Sequence, residues 1–246
     1  RVQSVALKLI TEREHEIELF DPEEFWTLSI QFNDNDKKSI LASITQLNDK
    51  KIEKFSFKNK AEIDKAIEEV KSKKFNINDI SSKVVNRNPS GPFTTSTLQQ
   101  VSSGRLGFGA SRTMQIAQKL YQGIEIDGET IGLITYMRTD GTNLSTDAID
   151  TFRKYIKNEF GDEYVPDNAA SYSGKKAKNA QEAHEAIRPT DIMRAPGTVK
   201  KYLSPDQHKL YDLIWSRALS SQMKPAQFDR NTITITSDDN ETICKA

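Results

Sequence analysis

Apolar residues recur with helical spacing in several parts of the chain. At its start, Val2, Val5 and Leu9 fall on one face of a 3.6-residue period. The pattern stops before an Asp-Pro pair, which predicts a helix over residues 1–17. The same spacing predicts further helices over 60–73, near 146–160, over a segment ending at Pro189, over 205–223, and as a pair joined by a tight glycine turn within 94–122.

Alternation of apolar and polar residues predicts strands in other segments. In residues 25–32, Trp26, Leu28 and Ile30 share one side of a two-residue period. Residues 131–138 alternate in a similar way, which would put Tyr136 and Arg138 on one face of a short strand. Further strands are predicted over 75–85 and within 227–243.

The predicted strands lie on both sides of a mostly helical block, and a linker-like cluster of Asn, Pro, Ser and Gly occupies residues 86–93. This order predicts an α+β fold. A β-rich domain, residues 24–88 with 224–246, is interrupted by an inserted helical domain, residues 89–223, and preceded by a helical segment, residues 1–23. Because the sequence begins and stops close to predicted elements, we expect it to be a piece of a larger protein.

Composition and charge narrow the class of protein only slightly. The chain has 36% hydrophobic residues and balances 35 Lys and Arg against 35 Asp and Glu, as many folded globular proteins do. Residues 171–230 carry eleven basic and six acidic residues, a surplus that would attract phosphate, although a solvated face explains it equally well. The single cysteine, Cys244, argues against a disulfide or a cysteine zinc site. No apolar run approaches the roughly 20 residues of a membrane span, so we expect a cytoplasmic location and no membrane partner.

Tyr136, Arg138 and Asp140 stand together where an apolar run gives way to polar residues. A phenol is a poor nucleophile at neutral pH because its pKa is about 10, but a nearby guanidinium favours the phenolate and binds a phosphodiester through two hydrogen bonds. The trio is therefore suited to transesterification at phosphorus. Asp140 would orient Arg138, while Thr142 and Asn143 would supply neutral donors to phosphate oxygens. A purely structural tyrosine-arginine pair is the alternative that these residues leave open.

A second polar face is predicted in residues 179–191. Gln181, His184 and Arg188 fall on one side of the predicted helix, which Pro189 would end after Arg188. Protonated His184 would bind a phosphate or donate a proton to a leaving group. A solvated amphipathic helix is the open alternative.

The motifs TYMRTD and TNLS, followed about forty residues later by AQEAHEAIRPTD, resemble the type IA DNA topoisomerases. Three more blocks, RVQSVALKLI, PFTTSTLQQ and RTMQIAQKLYQG, are similar to that family in the same order. The resemblance therefore covers essentially the whole chain.

The resemblance implies roles for individual residues. Tyr136 matches the nucleophile that attacks a single-strand phosphodiester and becomes linked to the 5′ phosphate, Arg138 matches the arginine that holds the scissile phosphate, and His184 matches the active-site histidine. Expected DNA contacts are Arg1, Val2, Gln3, Arg138, Asn143 and Arg188. Supporting roles are expected for Asp140, Thr142 and Gln181.

The resemblance also implies the architecture and the partners. The family forms a four-domain ring in which the β domain is an arch and the helical domain carries the catalytic tyrosine. We expect single-stranded and negatively supercoiled DNA as partners, no small-molecule substrate, and no ATP, since no G-x-x-x-x-G-K-[ST] loop is present. Mg²⁺ would bind to a domain upstream of this chain, so we expect no metal site here and no DNA relaxation by this chain alone. Gly141 departs from the serine that many relatives carry.

Two other functions fit parts of the pattern. The helix pair within 94–122 would suit a non-catalytic DNA-binding module of the helix-turn-helix type, with Arg105 and Arg112 on the DNA. A tyrosine recombinase would need several scattered arginines and a later tyrosine, and neither is visible in the sequence.

Overall fold

The structure is a computed structural model that describes residues 2–33, 38–172 and 185–246. It contains both helices and sheet, which confirms a mixed α and β fold. The helices are α1 Val2–Glu18, α2 Lys60–Ser72, α3 Thr95–Leu106, α4 Ala110–Gln122, α5 Thr146–Glu159, α6 Pro196–Val199 and α7 Pro205–Ser220. The strands are β1 Ser29–Asn33, β2 Ser39–Leu47, β3 Lys50–Lys51, β4 Phe75–Arg87, β5 Ile124–Ile126, β6 Glu129–Ile131, β7 Ala226–Ser237 and β8 Ile243–Lys245.

The chain folds into two compact units. The first comprises residues 1–84 and 229–246, and the second comprises residues 85–228. Each unit has its own hydrophobic core. In the described parts of both units, no helix has the length and apolar character that crossing a membrane requires.

The first unit is built on a sheet with the strand order β1-β2-β8-β7-β4, in which β3 also pairs with β2. Strands β1 and β2 are antiparallel, with Ser29 opposite Ser43. Helix α2 starts at the cap Asn59, whose side chain accepts a hydrogen bond from the Glu62 N–H. The buried residues of α2 share one core with residues of β2, β7 and β8: Ile63, Ala66, Val70, Ala42, Ile44, Ile235 and Cys244.

The second unit is mainly helical. Helix α3 begins with a capping box between Thr94 and Thr97 and ends at Gly107, whose φ of 67° lies in the left-handed region that glycine adopts at little cost. Helices α3, α4 and α7 surround a core that includes Leu98, Leu120, Leu210, Ile214 and the extended residues Leu133, Ile134 and Met137. Helix α5 packs Phe152 and Ile156 against Ile192 and the end of α7 in a smaller cluster.

Most predicted helices are confirmed, and the differences concern strands and one helix end. Within the predicted strand 25–32, continuous pairing with a neighbouring strand begins only at Ser29. Before it, Trp26 forms an isolated bridge to Phe57. Strand β2 and the β5-β6 hairpin were not predicted. The hairpin is too short for a periodic pattern to appear.

The prediction of a strand over residues 131–138 is wrong beyond Ile131. The segment has one bridge among the described residues, between Ile134 and Pro189, and it bends at Thr135 and Met137. Leu133 and Ile134 are both buried, which breaks the alternation, because this part of the chain runs through the core between helices. From Thr135 onward the alternation holds, and Tyr136 and Arg138 are exposed while Met137 is buried.

The predicted helix does not continue to Arg188. Three successive N–H groups, those of Ala186, Ile187 and Arg188, donate to Asn143 O, Phe93 O and Thr135 Oγ1 at 2.9, 2.8 and 3.0 Å. They are therefore not available for helical bonds. Pro189 adds to this effect, since a residue that precedes proline disfavours the helical conformation.

Candidate functional site

The backbone before Tyr136 is fixed by residues 186–190. The Thr135 N–H donates to Arg188 O at 2.9 Å, and Thr135 Oγ1 donates to Ala186 O at 2.8 Å and accepts from the Arg188 N–H. Two residues earlier, Leu133 O accepts from the Thr190 N–H at 3.0 Å. These bonds join segments that are far apart in sequence. Tertiary contacts therefore fix the backbone of residues 133–135, which precede Tyr136.

The backbone after Tyr136 is fixed by the first turn of α3. Thr95 Oγ1 donates to Met137 O at 2.7 Å and accepts from the Thr139 N–H at 2.8 Å. The Thr95 N–H in turn donates to Thr139 O at 2.8 Å. Because the capping box sets the first turn of α3, the sequence signal that starts this helix also positions Thr95.

The side chain of Tyr136 projects from this fixed backbone into solvent. It is 45% exposed, and its ring makes an edge contact with Tyr121 on α4, with 5.4 Å between ring centroids. Within residues 2–33, 38–172 and 185–246, its hydroxyl has no hydrogen-bond partner. The phenol oxygen is therefore free to meet a substrate atom.

Arg138 is exposed two residues after Tyr136, and the described part of the chain contains no ion-pair or hydrogen-bond partner for its guanidinium. It lines two surface hollows. One, of about 750 Å³, runs along α4 and is bordered by Arg112, Gln115 and Lys119. The other, of about 590 Å³, lies at the start of α3 and is bordered by hydroxyl side chains and Asp140. An unpaired guanidinium in such a place suits an anionic ligand.

Three residues with expected roles near Tyr136 differ in their contacts. Asp140 is exposed and borders the second hollow, but it forms no ion pair with Arg138, so it does not orient that guanidinium in this structure. The Thr142 hydroxyl donates to Tyr172 O at 2.9 Å and therefore stabilises the fold. The backbone carbonyl of Asn143 accepts a hydrogen bond from the Ala186 N–H, and the Asn143 side chain has no partner among the described residues.

The Arg188 guanidinium is bound within the protein. It donates to both carboxylate oxygens of Glu185, at 2.7 and 3.0 Å, and to Pro189 O at 2.9 Å. Glu185 also accepts from the Ser145 N–H at 2.8 Å, where α5 begins. Burial alone would raise the pKa of Glu185, but the hydrogen bonds from Arg188 and Ser145 outweigh it and lower that pKa. Arg188 therefore joins the Tyr136 segment to α5, and these bonds occupy three of its five N–H donors.

Some expected residues lie outside the described part of the chain. Arg1, Gln181 and His184 are not described, and only the backbone of Val2 is. Gln3 is exposed on α1. The expected roles of these residues remain predictions.

The described residues do not fit a Mg²⁺ site. Mg²⁺ prefers several oxygen ligands in octahedral geometry, and within residues 2–33, 38–172 and 185–246 no group of three or more His, Cys, Asp or Glu side chains is close enough to hold a metal ion.

Sequence reasoning missed the residues that hold the site together. Thr95, Thr135, Glu185 and Tyr121 were not singled out for the site, although the hydroxyl cluster at 94–97 predicted the start of α3. The roles of the two threonines depend on bonds between distant residues, 42 positions apart for Thr95 with Met137 and 53 for Thr135 with Arg188. Besides the hydroxyl cluster at 94–97, the threonines on both sides of Tyr136 were the local sequence feature that could have pointed to these residues.

Comparisons with known proteins agree over the full chain. A family model described as DNA topoisomerase matches residues 1–246. The chain is 49% identical over 246 residues to DNA topoisomerase 1 of Rickettsia bellii, an alignment that covers 100% of this chain and 31% of that protein. It is 46% identical over 239 residues to DNA topoisomerase 1 of Haemophilus influenzae, covering 97% of this chain and 26% of that protein.

A solved structure is also similar. The structure of full-length topoisomerase I from Thermotoga maritima aligns with a TM-score of 0.78 and 38% identity, covering 100% of this chain and 37% of that one. The chain thus spans about a third of the length of the relatives it matches.

Proposed function

The chain belongs to the DNA topoisomerase family, whose model it matches over residues 1–246, and on that premise we propose that it is the tyrosine-bearing part of a type IA enzyme. The whole enzyme would relax negatively supercoiled DNA by cutting one strand, passing another strand through the break and resealing it. The observation that carries the proposal is the exposed Tyr136 on a fixed backbone, two residues from Arg138, whose guanidinium has no partner among the described residues.

The proposed reaction is an exchange of oxygens on phosphorus. The Tyr136 oxygen loses its proton and forms a bond to the phosphorus of a single-strand phosphodiester. The bond from phosphorus to the 3′ oxygen of the preceding nucleotide breaks, and that oxygen takes up a proton. Arg138 stabilises the charge on the phosphate oxygens. The 5′-phosphotyrosine link conserves the ester, so the reverse step reseals the strand without ATP.

The proposal extends to the domains and the partners. Residues 89–223 would form the tyrosine domain, residues 24–88 with 224–246 the arch, and residues 1–23 a helical part of the domain that grips DNA. The division into compact units of residues 85–228 and of residues 1–84 with 229–246 supports this assignment. Single-stranded and negatively supercoiled DNA would be the substrates, and Mg²⁺ would be bound by a part of the whole protein outside this chain.

The test is the variant Tyr136→Phe in the full-length protein. Loss of the hydroxyl removes the atom that forms the link, so we expect no covalent protein–DNA adduct and no relaxation, with noncovalent DNA binding retained. The adduct is measured on denaturing gels with an end-labelled single strand. An adduct that persists in the variant would exclude Tyr136 as the nucleophile. If the unaltered protein also forms no adduct but binds DNA tightly, the non-catalytic helix-turn-helix function becomes the better explanation.

A further inference from the structure

Helix α4 presents a polar face to solvent. Arg112, Gln115, Lys119 and Gln122 are exposed at spacings of three and four residues and therefore lie on one side of the helix. The opposite side, with Ile116, Ala117 and Leu120 among its residues, is buried in the core. Since the apolar side already anchors α4, the polar side is available for a ligand.

This polar face and Arg138 border the same surface hollow of about 750 Å³. The hollow is lined by three cations, Arg112, Lys119 and Arg138, and by one carboxylate, Asp206. Asp206 forms an ion pair with Arg112, whose guanidinium also lies 4.7 Å from the centre of the Phe108 ring. Lys119 and Arg138 have no such partner within the described part of the chain. The hollow therefore offers two uncompensated positive charges, which suits a ligand with several phosphates.

The hollow also lies next to the Tyr136 segment, since Met137 and Arg138 line it. Tyr121, one residue before the end of α4, contacts the Tyr136 ring with 5.4 Å between centroids. From Arg112 to Gln122 the helix rises about 15 Å, which is long enough to follow more than one nucleotide of a single strand. Gln115 and Gln122 add amide groups, which can donate to and accept from the edges of unpaired bases.

The direction of the strand follows from the chemistry. When Tyr136 is linked to a 5′ phosphate, the nucleotides attached to the protein are those on the 3′ side of the break. They must lie within a few nucleotide lengths of Tyr136. We infer that the hollow along α4 binds the single strand on the 3′ side of the cleaved phosphodiester, with Lys119 on a phosphate next to the one held by Arg138. This inference rests on the proposed function.

The test uses the full-length protein and single-stranded oligonucleotides whose cleavage position has been mapped. Their 5′ side is kept constant, and their 3′ side has either one nucleotide, which carries no phosphate beyond the cleaved one, or eight nucleotides. For the unaltered protein we expect tighter binding and more adduct with the longer 3′ side. In Lys119→Gln we expect this gain to fall by about fivefold, because one charge-assisted phosphate contact is lost, while the oligonucleotide with the short 3′ side is bound and cleaved as before.

A salt titration separates a phosphate contact from an indirect effect. In the Tyr136→Phe background, the slope of log K against log salt for the longer oligonucleotide should fall in magnitude by about 0.7 when Lys119 is replaced, as for one phosphate contact on a single strand. The control is Lys154→Gln, an exposed lysine on α5 that borders neither of the two hollows at Arg138. It should match the unaltered protein throughout.

The inference is overturned if Lys119→Gln keeps the full gain from the longer 3′ side, if it weakens short and long oligonucleotides equally, or if the unaltered protein shows no such gain. These outcomes are distinct from failure of the proposed function, in which the unaltered protein forms no adduct through Tyr136 with any oligonucleotide.

Discussion

Two threonine hydroxyls hold the backbone on either side of Tyr136. Thr135 binds the 186–188 segment, and Thr95 binds the carbonyl of Met137 and the N–H of Thr139. The Tyr136 and Arg138 side chains are left exposed. At the scale of residues, the protein thus fixes the main chain and leaves free the two side chains that we propose to react with DNA. This arrangement is what a reaction sensitive to small displacements requires.

Replacing Thr95 should therefore impair cleavage more than DNA binding. In Thr95→Val of the full-length protein, the Met137 carbonyl and the Thr139 N–H lose their shared partner, at a cost of about 1–2 kcal/mol in stability. We expect the rate of adduct formation to fall by about 10- to 100-fold, because displacements of about 1 Å have effects of that size. The affinity for a single strand should change little. Single-turnover cleavage and equilibrium binding measure the two quantities.

Two variants separate positioning from general destabilisation. Thr95→Ser retains the hydroxyl and should restore the rate. Thr113→Val removes another buried hydroxyl, which bonds only to the carbonyls of Phe108 and Gly109 beside it, and should leave cleavage close to normal. Equal losses in Thr95→Val and Thr113→Val would contradict a positioning role for Thr95.

At the scale of elements, α2 is joined to the turn between β7 and β8 by a cluster of charges. The Lys73 ammonium, which follows α2, lies 3.0 Å from Asp239 Oδ2 and 3.3 Å from Glu241 Oε2. Its side chain is only 11% exposed. Burial lowers the pKa of Lys73, but the hydrogen bonds to these carboxylates outweigh burial and raise it. Hydrogen bonds from Ser237, then from Lys73 and the Glu241 N–H, lower the pKa of Asp239 to about 2.

This shift predicts how acid affects the first unit. The pKa of Asp239 is below its ordinary value of 3.8 in the folded protein, so ionised Asp239 stabilises the fold. That contribution is complete above about pH 4 and is lost as the pH falls through about 2. We expect Asp239→Asn to melt at a lower temperature than the unaltered chain at pH 6, and the difference to shrink on acidification. Thermal melts followed by circular dichroism between pH 6 and pH 2 test this.

The matched control is Asp64→Asn. Asp64 is exposed on α2 and has no hydrogen-bond or ion-pair partner in the described part of the chain. Its replacement should change the melting temperature by a small and nearly constant amount over the same range. A constant difference for Asp239→Asn as well would show that the cluster does not stabilise the fold through the charge of Asp239.

At the scale of the whole molecule, the expected activity of this chain depends on how much of its relatives' length it spans. It spans 31% of the length of the Rickettsia bellii relative. Strand passage requires that both ends of the broken strand be held while another strand moves between them. In the proposed reaction, Tyr136 holds the 5′ end by a covalent bond, and the free 3′ end needs a second grip.

We therefore expect that the 246-residue chain alone does not relax negatively supercoiled plasmid DNA in the presence of Mg²⁺, whereas the full-length protein does. Agarose gel electrophoresis of plasmid topoisomers measures both. Mg²⁺-dependent relaxation by the chain alone, at protein concentrations where the full-length protein is active, would contradict this expectation.

The sequence by itself determined the elements whose signals are local. Helices α2, α4 and α5 follow from apolar side chains repeated every 3.6 residues and from caps within one turn, because a helix bonds each residue to one four positions away. The motif TYMRTD was enough to single out Tyr136 and Arg138 as candidates. Strand β2 was not predicted, because its formation depends on pairing with β1 and β8.

Only the tertiary structure decided how the residues near Tyr136 are held. It replaced the expected strand after Ile131 by a segment held through side-chain hydroxyls, and it places residues 185–188 outside a helix. In the tertiary structure, the Arg188 guanidinium forms an ion pair with Glu185, whereas the Arg138 guanidinium is unpaired among the described residues. Apart from the Glu185–Arg188 ion pair, which joins residues three positions apart, these outcomes depend on bonds between residues more than forty positions apart. No local period or propensity carries information about which distant partner a polar group will find.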